Sequence, residues 1–385
     1  MPLTLLPMLP SVELDLGTSL LPVAGVLLLL RQLMEGEYYE ALLYIVPVVG
    51  VTCGCCFLAM RWAVDQFNNE AVLFRETERF DLFTWLKHVL RERSHTPSVT
   101  QAVLCGVLIL LIRFFAGLSL PTPTNWTQFV VLTSITLIAF VATPALLMTT
   151  VLTTRPRETL LLYWPRFSSM VLAVLLAISF HPLAVALMAI VNRLYPIDIS
   201  SLGHIAELFD GAPSTLSLIL VLAVLPAICE ELAFRGFILS GFRHLGHKWR
   251  AILFTSVFFG VAHGVLQQSL MAGVIGLAIG YLAVQTQSIV PCILFHAVHN
   301  SLSVLSTEYL PWLYQHAGHL RWLVMEIPSN NLGGEPTIVH GIPVIFIASM
   351  SAALLLHWCG QLPFYPTEEE RLCNALDHET VAPSA

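Results

Sequence analysis

The sequence predicts an all-α fold, a polytopic bundle of about eight to nine transmembrane helices. Three observations carry that prediction. Apolar residues make up 56% of the 385 and charged residues only 11%, against about 25% charged in an ordinary soluble domain. The apolar residues fall in runs long enough to cross a hydrocarbon core, which takes about 20 residues of helix. The remaining charges alternate between the segments joining those runs, as a membrane orientation requires.

In chain order, residues 1–97 read as an N-terminal membrane segment followed by a charged junction loop. Glu13 and Asp15 precede the first apolar run, where a cleavable signal would carry positive charge, so insertion by the chain's own helices is expected. The run from Leu20 to Leu33 is too short to span and reads as interfacial or re-entrant. Residues 39–64 form the first span. The 65–98 segment mixes both signs of charge, and its Phe80–Val89 stretch reads as an amphipathic surface helix.

Residues 98–360 read as one helical membrane bundle, with spans at 99–119, 127–152, 167–193, 212–233, 251–266, 269–286, 289–307 and 337–357. The pair at 251–266 and 269–286 is short, parted by Gln267 and Gln268, and reads as tilted or partly buried among the other helices. Gly333-Gly334 reads as a turn. Residues 361–385, with Glu368, Glu369 and Glu370, form an acidic tail.

Loop charges orient the bundle. Arg75, Arg79, Lys87, Arg91 and Arg93 lie in the 65–98 loop, Arg155, Arg157 and Arg166 in 153–166, and Arg235, Arg243, Lys248 and Arg250 in 234–250. The intervening 120–126 and 194–211 loops carry no cation; the second holds Asp198, Glu207 and Asp210. Basic loops face the cytoplasm, which also places the tail there. The expected location is a bacterial inner membrane.

Several classes are excluded. A net charge of −7 offers no basic stripe for nucleic acid. Neither a Walker phosphate loop nor an HExxH zinc helix is present. Cys105, Cys229, Cys292 and Cys359 sit singly in apolar runs, where a thiol packs as a small hydrophobe; Cys53, Cys55 and Cys56 cluster without further ligands and are also read as packing. Asn125-Trp126-Thr127 matches a glycosylation acceptor but abuts a span.

Glu230 and Glu231 stand out, in LVLAVLPAICEELAFRGF. Every other carboxylate between residues 99 and 307 lies in a loop or near a span end. A charge at the centre of a membrane helix costs about 2.5–3.5 kcal/mol even on the lenient insertion scale. The bland reading is an ion pair with Arg235, one turn from Glu231 on the same helical face. Later spans add His263, with Phe259 a turn before it, and His296, with Asn300 a turn after it and His299 beside it. Each such group must find a polar partner at membrane depth, and convergence of the three spans meets that need economically.

Such a cluster suits peptide hydrolysis, which needs a base to activate water, donors for the developing oxyanion and an acid for the leaving amine. Glu230 or Glu231 fits the base. His263 could hold the water or protonate the amine, and His296 and Asn300 could donate to the oxyanion. The other arrangement is a zinc ion held by His263, His296 and Glu230, since a catalytic zinc takes three protein ligands and water.

Glu230-Glu231-x-x-x-Arg235, Phe259-x-x-x-His263 and His296-x-x-x-Asn300 resemble the three ordered motifs of the CAAX-protease and bacteriocin-processing (CPBP) family, over about residues 160–310. That family comprises membrane-embedded endopeptidases long described as metalloproteases. The resemblance implies that Glu230 activates the water, that Glu231 and Arg235 support it, and that His263, His296 and Asn300 complete the site. It implies a peptide or protein substrate met in the lipid bilayer. Residues 10–80, with LGTSLLPVAGVLLLLRQLMEGEYYEALLYIVPVV and RWAVDQFNNEAVLFRE, resemble the closing segment of an ABC-2-type sodium-export permease. That likeness implies a separate ABC ATPase partner and the alternative of a permease component of an exporter; a catalytically silent scaffold is a further alternative, since members of the CPBP family can lack proteolysis.

Overall fold

The computed structural model describes residues 14, 16–20, 24–67, 93–194, 207–316, 318–327 and 337–381. The Phe80–Val89 surface helix, most of the 65–98 cations, Asp198 and the Gly333-Gly334 turn lie outside them. The chain divides into two compact units, residues 1–86 and 87–385.

In the first unit, α1 (Ala24–Glu35) and α2 (Tyr38–Phe67) form a hairpin. Gly36, at φ +87°, reverses the chain between them, a conformation open to glycine at no steric cost. Leu28 and Leu29 of α1 pack with Ala41 and Val48 of α2. The Leu20–Leu33 run is thus largely a helix laid against the next one. Cys53, Cys55 and Cys56 are exposed on α2, so among the described residues they do not pack as the sequence reading expected. The four single cysteines are buried.

The second unit runs α3 (Val99–Ser119), α4 (Trp126–Leu152), α5 (Phe167–Leu194), α6 (Thr215–Leu245), α7 (Lys248–Val261), α8 (Leu266–Thr286) and α9 (Val290–His316), then α10 (Ile342–Gly360) and α11 (Glu368–Val381). A two-stranded antiparallel hairpin, β1 (Val324–Ile327) and β2 (Thr337–His340), precedes α10. Among the described residues six helices, α3, α4, α5, α6, α8 and α10, are long and apolar enough to cross a membrane. The molecule is an integral, multi-pass membrane protein built as a helical bundle. Each of the nine expected spans contains a helix, though not every one meets that length and apolarity, and the span expected at 337–357 opens as strand β2 and turns helical only from Ile342. At 14 residues, α7 is about 21 Å long, short of a roughly 30 Å hydrocarbon core. The helix α9 has the length but carries His296, His299, Asn300 and Glu308.

Ser98 caps α3 with a reciprocal Gln101 capping box, and Asn125 caps α4 by accepting the Gln128 N–H. That cap gives Asn125 a structural role. Both α4 and α6 slip from α to π geometry, at Ile138–Ala142 and Leu220–Val224. In each case a proline follows two residues later, Pro144 or Pro226; a ring nitrogen cannot donate to the turn before it, and the ladder widens to accommodate it.

The motif helix is longer than the apolar run suggested. It continues through Arg235 to Leu245, so Arg235 and Arg243 are helix residues and not loop charges; both are buried. Their charge ended the apolar run in the sequence, whereas in the structure each has a carboxylate partner.

Candidate active site

Three elements bring the motif residues together. Glu230 and Glu231 close the short α-helical stretch of α6 between its π-turns at Leu220–Val224 and Leu232–Ile238. His263 lies in the turn between α7 and α8, and His296 and Asn300 project from α9. The α7–α8 pair is close because its contact is made of small residues: a Cβ added at Gly260 would stand 2.7 Å from the Ser269 carbonyl oxygen, and one at Gly276 3.2 Å from the Ser256 Cβ. Small residues of this kind let membrane helices approach backbone to backbone.

The two neighbouring acids have different surroundings. Glu231 is fully buried. Its Oε1 accepts from Arg235 Nη1 at 3.0 Å and from His296 Nδ1 at 2.8 Å. Arg235, equally buried, also donates Nη2 to the Gly276 carbonyl at 3.3 Å and lies 4.2 Å over the Phe259 ring. One guanidinium thereby ties α6, α7 and α8 together, and the carboxylate it holds orients a ring of α9. The sequence showed the Glu231–Arg235 pair; Gly276 gave no sign of its part, because it contributes a backbone carbonyl.

Glu230 points elsewhere. Its Oε2 is buried without a hydrogen-bond partner among the described residues, and it lies 3.9 Å from His296 Nε2, too far for a direct hydrogen bond. A carboxylate can only accept, so the Glu231 contact fixes Nδ1 of His296 as the protonated nitrogen and turns Nε2 toward Glu230.

His263 donates from Nδ1 to the Phe259 carbonyl at 2.9 Å, leaving Nε2 as an acceptor. The Phe259 ring stands edge-on to both imidazoles, with centroids 5.0 Å from His263 and 5.9 Å from His296. Asn300 donates Nδ2 to the Leu222 carbonyl at 3.2 Å, inside the π-turn that precedes the acids. His299, adjacent in the motif, is stacked on Phe295 and set edge-on to His181 of α5.

Glu230, Phe259, His263, His296 and Asn300 line one groove of about 820 Å³; Glu231 and Arg235 do not reach it. Its other walls come from the loop after α3, from α4, from the first turns of α6 and α8, and from the later part of α9. All of these belong to the half of the bundle nearest residues 120–126. Sequence reasoning missed these walls, since they consist of ordinary Leu, Phe, Pro and Thr side chains with no motif.

The expected zinc set is not gathered into a ligand cage. Among the described residues no three His, Cys, Asp or Glu side chains stand close enough to hold a metal ion. One nitrogen of each histidine is already committed, to Glu231 or to the Phe259 carbonyl.

The family described as type II CAAX prenyl endopeptidase, Rce1-like, matches residues 212–302, a minority of the chain that contains all seven residues above. No curated protein and no solved structure matches the chain closely enough to count as a relative. The match does not reach residues 10–80, so the permease likeness there and its ABC ATPase partner rest on those residues alone.

Proposed function

We propose that the chain is an intramembrane endopeptidase that hydrolyses a peptide bond of a membrane-associated or C-terminally processed substrate, using a water activated by Glu230. The observation that carries this reading is the division of labour between the acids. Each acid keeps one unpaired oxygen among the described residues, but Arg235 and His296 engage Glu231 away from the groove, whereas Glu230 lines the groove beside His296. A base needs an open valence within reach of water and substrate, and Glu230 has one. The family match over the same residues supports it.

In this mechanism Glu230 takes a proton from water as the oxygen attacks the scissile carbonyl carbon. Charge develops on the carbonyl oxygen, and the second amide hydrogen of Asn300 is available to it. His296, held by Glu231, carries the proton between Glu230 and the departing nitrogen. The C–N bond then breaks to give a carboxylate and an amine. His263, with Nδ1 pinned, offers Nε2 to orient the water. Arg235 and Glu231 act through position alone.

Cleavage of quenched-fluorescence peptides by the purified protein tests this. Glu230→Gln and His263→Ala should each lower the rate by about 100-fold or more, the range of acid–base catalysis. Either variant cleaving at the wild-type rate while folded would overturn the assignment. A chelator should leave the wild-type rate unchanged; a rate lost to chelator and restored by zinc would replace the Glu230 base with a metal-bound water.

A further inference from the structure

The groove holds one charged residue that the proposed chemistry does not use. Arg113 of α3 lines it alongside Thr133 and Thr136 of α4, on walls otherwise made of such residues as Leu120, Phe129 and Phe209. Among the described residues lining the groove, Arg113 is the only arginine or lysine and Glu230 the only carboxylate. Arg113 lies within the apolar span Val99–Gly117, six residues before the end of α3 and so about 9 Å along the axis from it. An ionisable group at such a place is costly and marks a site in the first instance.

Among the described residues, Arg113 has no ion-pair partner. The carboxylates nearest in the site are spoken for or distant in role: Glu231 is bound to Arg235 and His296, and Glu230 faces the water position. No described carboxylate forms an ion pair with Arg113. The Gly117 face, one turn on, opens into free space, where an added Cβ would meet nothing within 4 Å. A guanidinium stays charged under all ordinary conditions and binds a carboxylate through two parallel hydrogen bonds.

We infer that Arg113 is a specificity-determining residue which receives a carboxylate of the substrate. This rests on the peptidase reading and adds the substrate's charge to it. Arg113 and Glu230 come from different helices of the lining, α3 and α6, so an anionic group drawn to the guanidinium is held at a different element from the proposed base. A peptide with a carboxylate near the bond to be cut is thereby held in one direction. The carboxylate can come from a free chain terminus or from an acidic side chain.

Binding to the Glu230→Gln protein separates these sources without turnover. The probes are a fluorescent farnesylated peptide with a free C-terminal carboxylate, the same peptide amidated, and an amidated version carrying one Asp side chain. The parent should bind at least one carboxylate probe about tenfold more tightly than the neutral one, as expected for a charged hydrogen-bonded contact. Tighter binding of the first probe assigns the chain terminus, and of the third the acidic side chain. Adding Arg113→Gln should raise the Kd of the favoured probe to that of the neutral peptide, and Arg113→Lys should restore part of the preference.

Equal or undetectable binding of all three probes to the parent overturns the inference. So does a preference that survives Arg113→Gln, which would mean that the side chain only extends to the lipid surface. Cleavage by Glu230→Gln at the wild-type rate is the separate result that removes Glu230 as the base, and absence of cleavage by the folded wild-type protein is the one that removes the peptidase reading.

Discussion

Glu230 and Glu231 are chain neighbours, yet only Glu230 lines the groove, while Glu231 has its Oε1 held by Arg235 and His296. The sequence supplied the four-residue spacings and hence which side chains share a helical face. It did not supply the partners across helices: the Asn300 amide goes to a carbonyl in a π-turn 78 residues away, and Arg235 reaches the Gly276 carbonyl. Backbone acceptors leave no trace in residue identity. Arg235→Ala would leave Glu231 buried with His296 as its remaining partner, and breaking a buried ion pair from one side costs about 3–5 kcal/mol. Thermal unfolding in detergent should show that loss together with inactivity. An Arg235→Ala protein of wild-type stability would mean that the guanidinium is dispensable to the bundle.

At the scale of elements, every apolar run became a helix because length and hydropathy decide that much in a membrane. The boundaries were less legible. A run stops at a charge, and α6 contains two arginines with carboxylate partners, Glu231 one turn back in the same helix for Arg235 and Glu370 in α11 for Arg243. The π-turns were equally hidden, although a proline two residues downstream marks the two at Ile138–Ala142 and Leu220–Val224. The α7–α8 hairpin depends on closeness at Gly260, where a methyl group would press on the Ser269 carbonyl at 2.7 Å. Gly260→Ala should therefore cost about 1–3 kcal/mol, the usual range for overpacking, and reduce cleavage by displacing His263. Unfolding curves and peptide turnover measured side by side check this; unchanged values in both would show that the helices can part freely.

Across the whole molecule, the acidic tail is part of the bundle's framework. Glu370 of α11 meets Arg243 at the far end of the motif helix through two hydrogen bonds of 2.7 and 3.2 Å, both side chains being buried. Nearby, Glu369 pairs with His244. The tail's charge was legible in the sequence, but its docking was not, because neither partner carries a local signal. Glu370→Ala should destabilise the fold by about 3–5 kcal/mol through the unpaired buried arginine, read as a lower unfolding temperature. An unaltered transition would mean that α11 is a loosely held appendage.

On the proposed mechanism, the depth of Glu230 sets a rule for what can be processed. It stands fifteen residues along α6 from Thr215, about 22 Å at the rise of an α-helix, on the end of the bundle where the groove opens. A helical polypeptide hides its amides, so a cleavable segment would enter as extended chain, advancing about 3.3–3.6 Å per residue. Roughly six or seven unstructured residues must then separate the severed bond from any folded body, and a shorter tether would leave a globular cargo stranded at the rim.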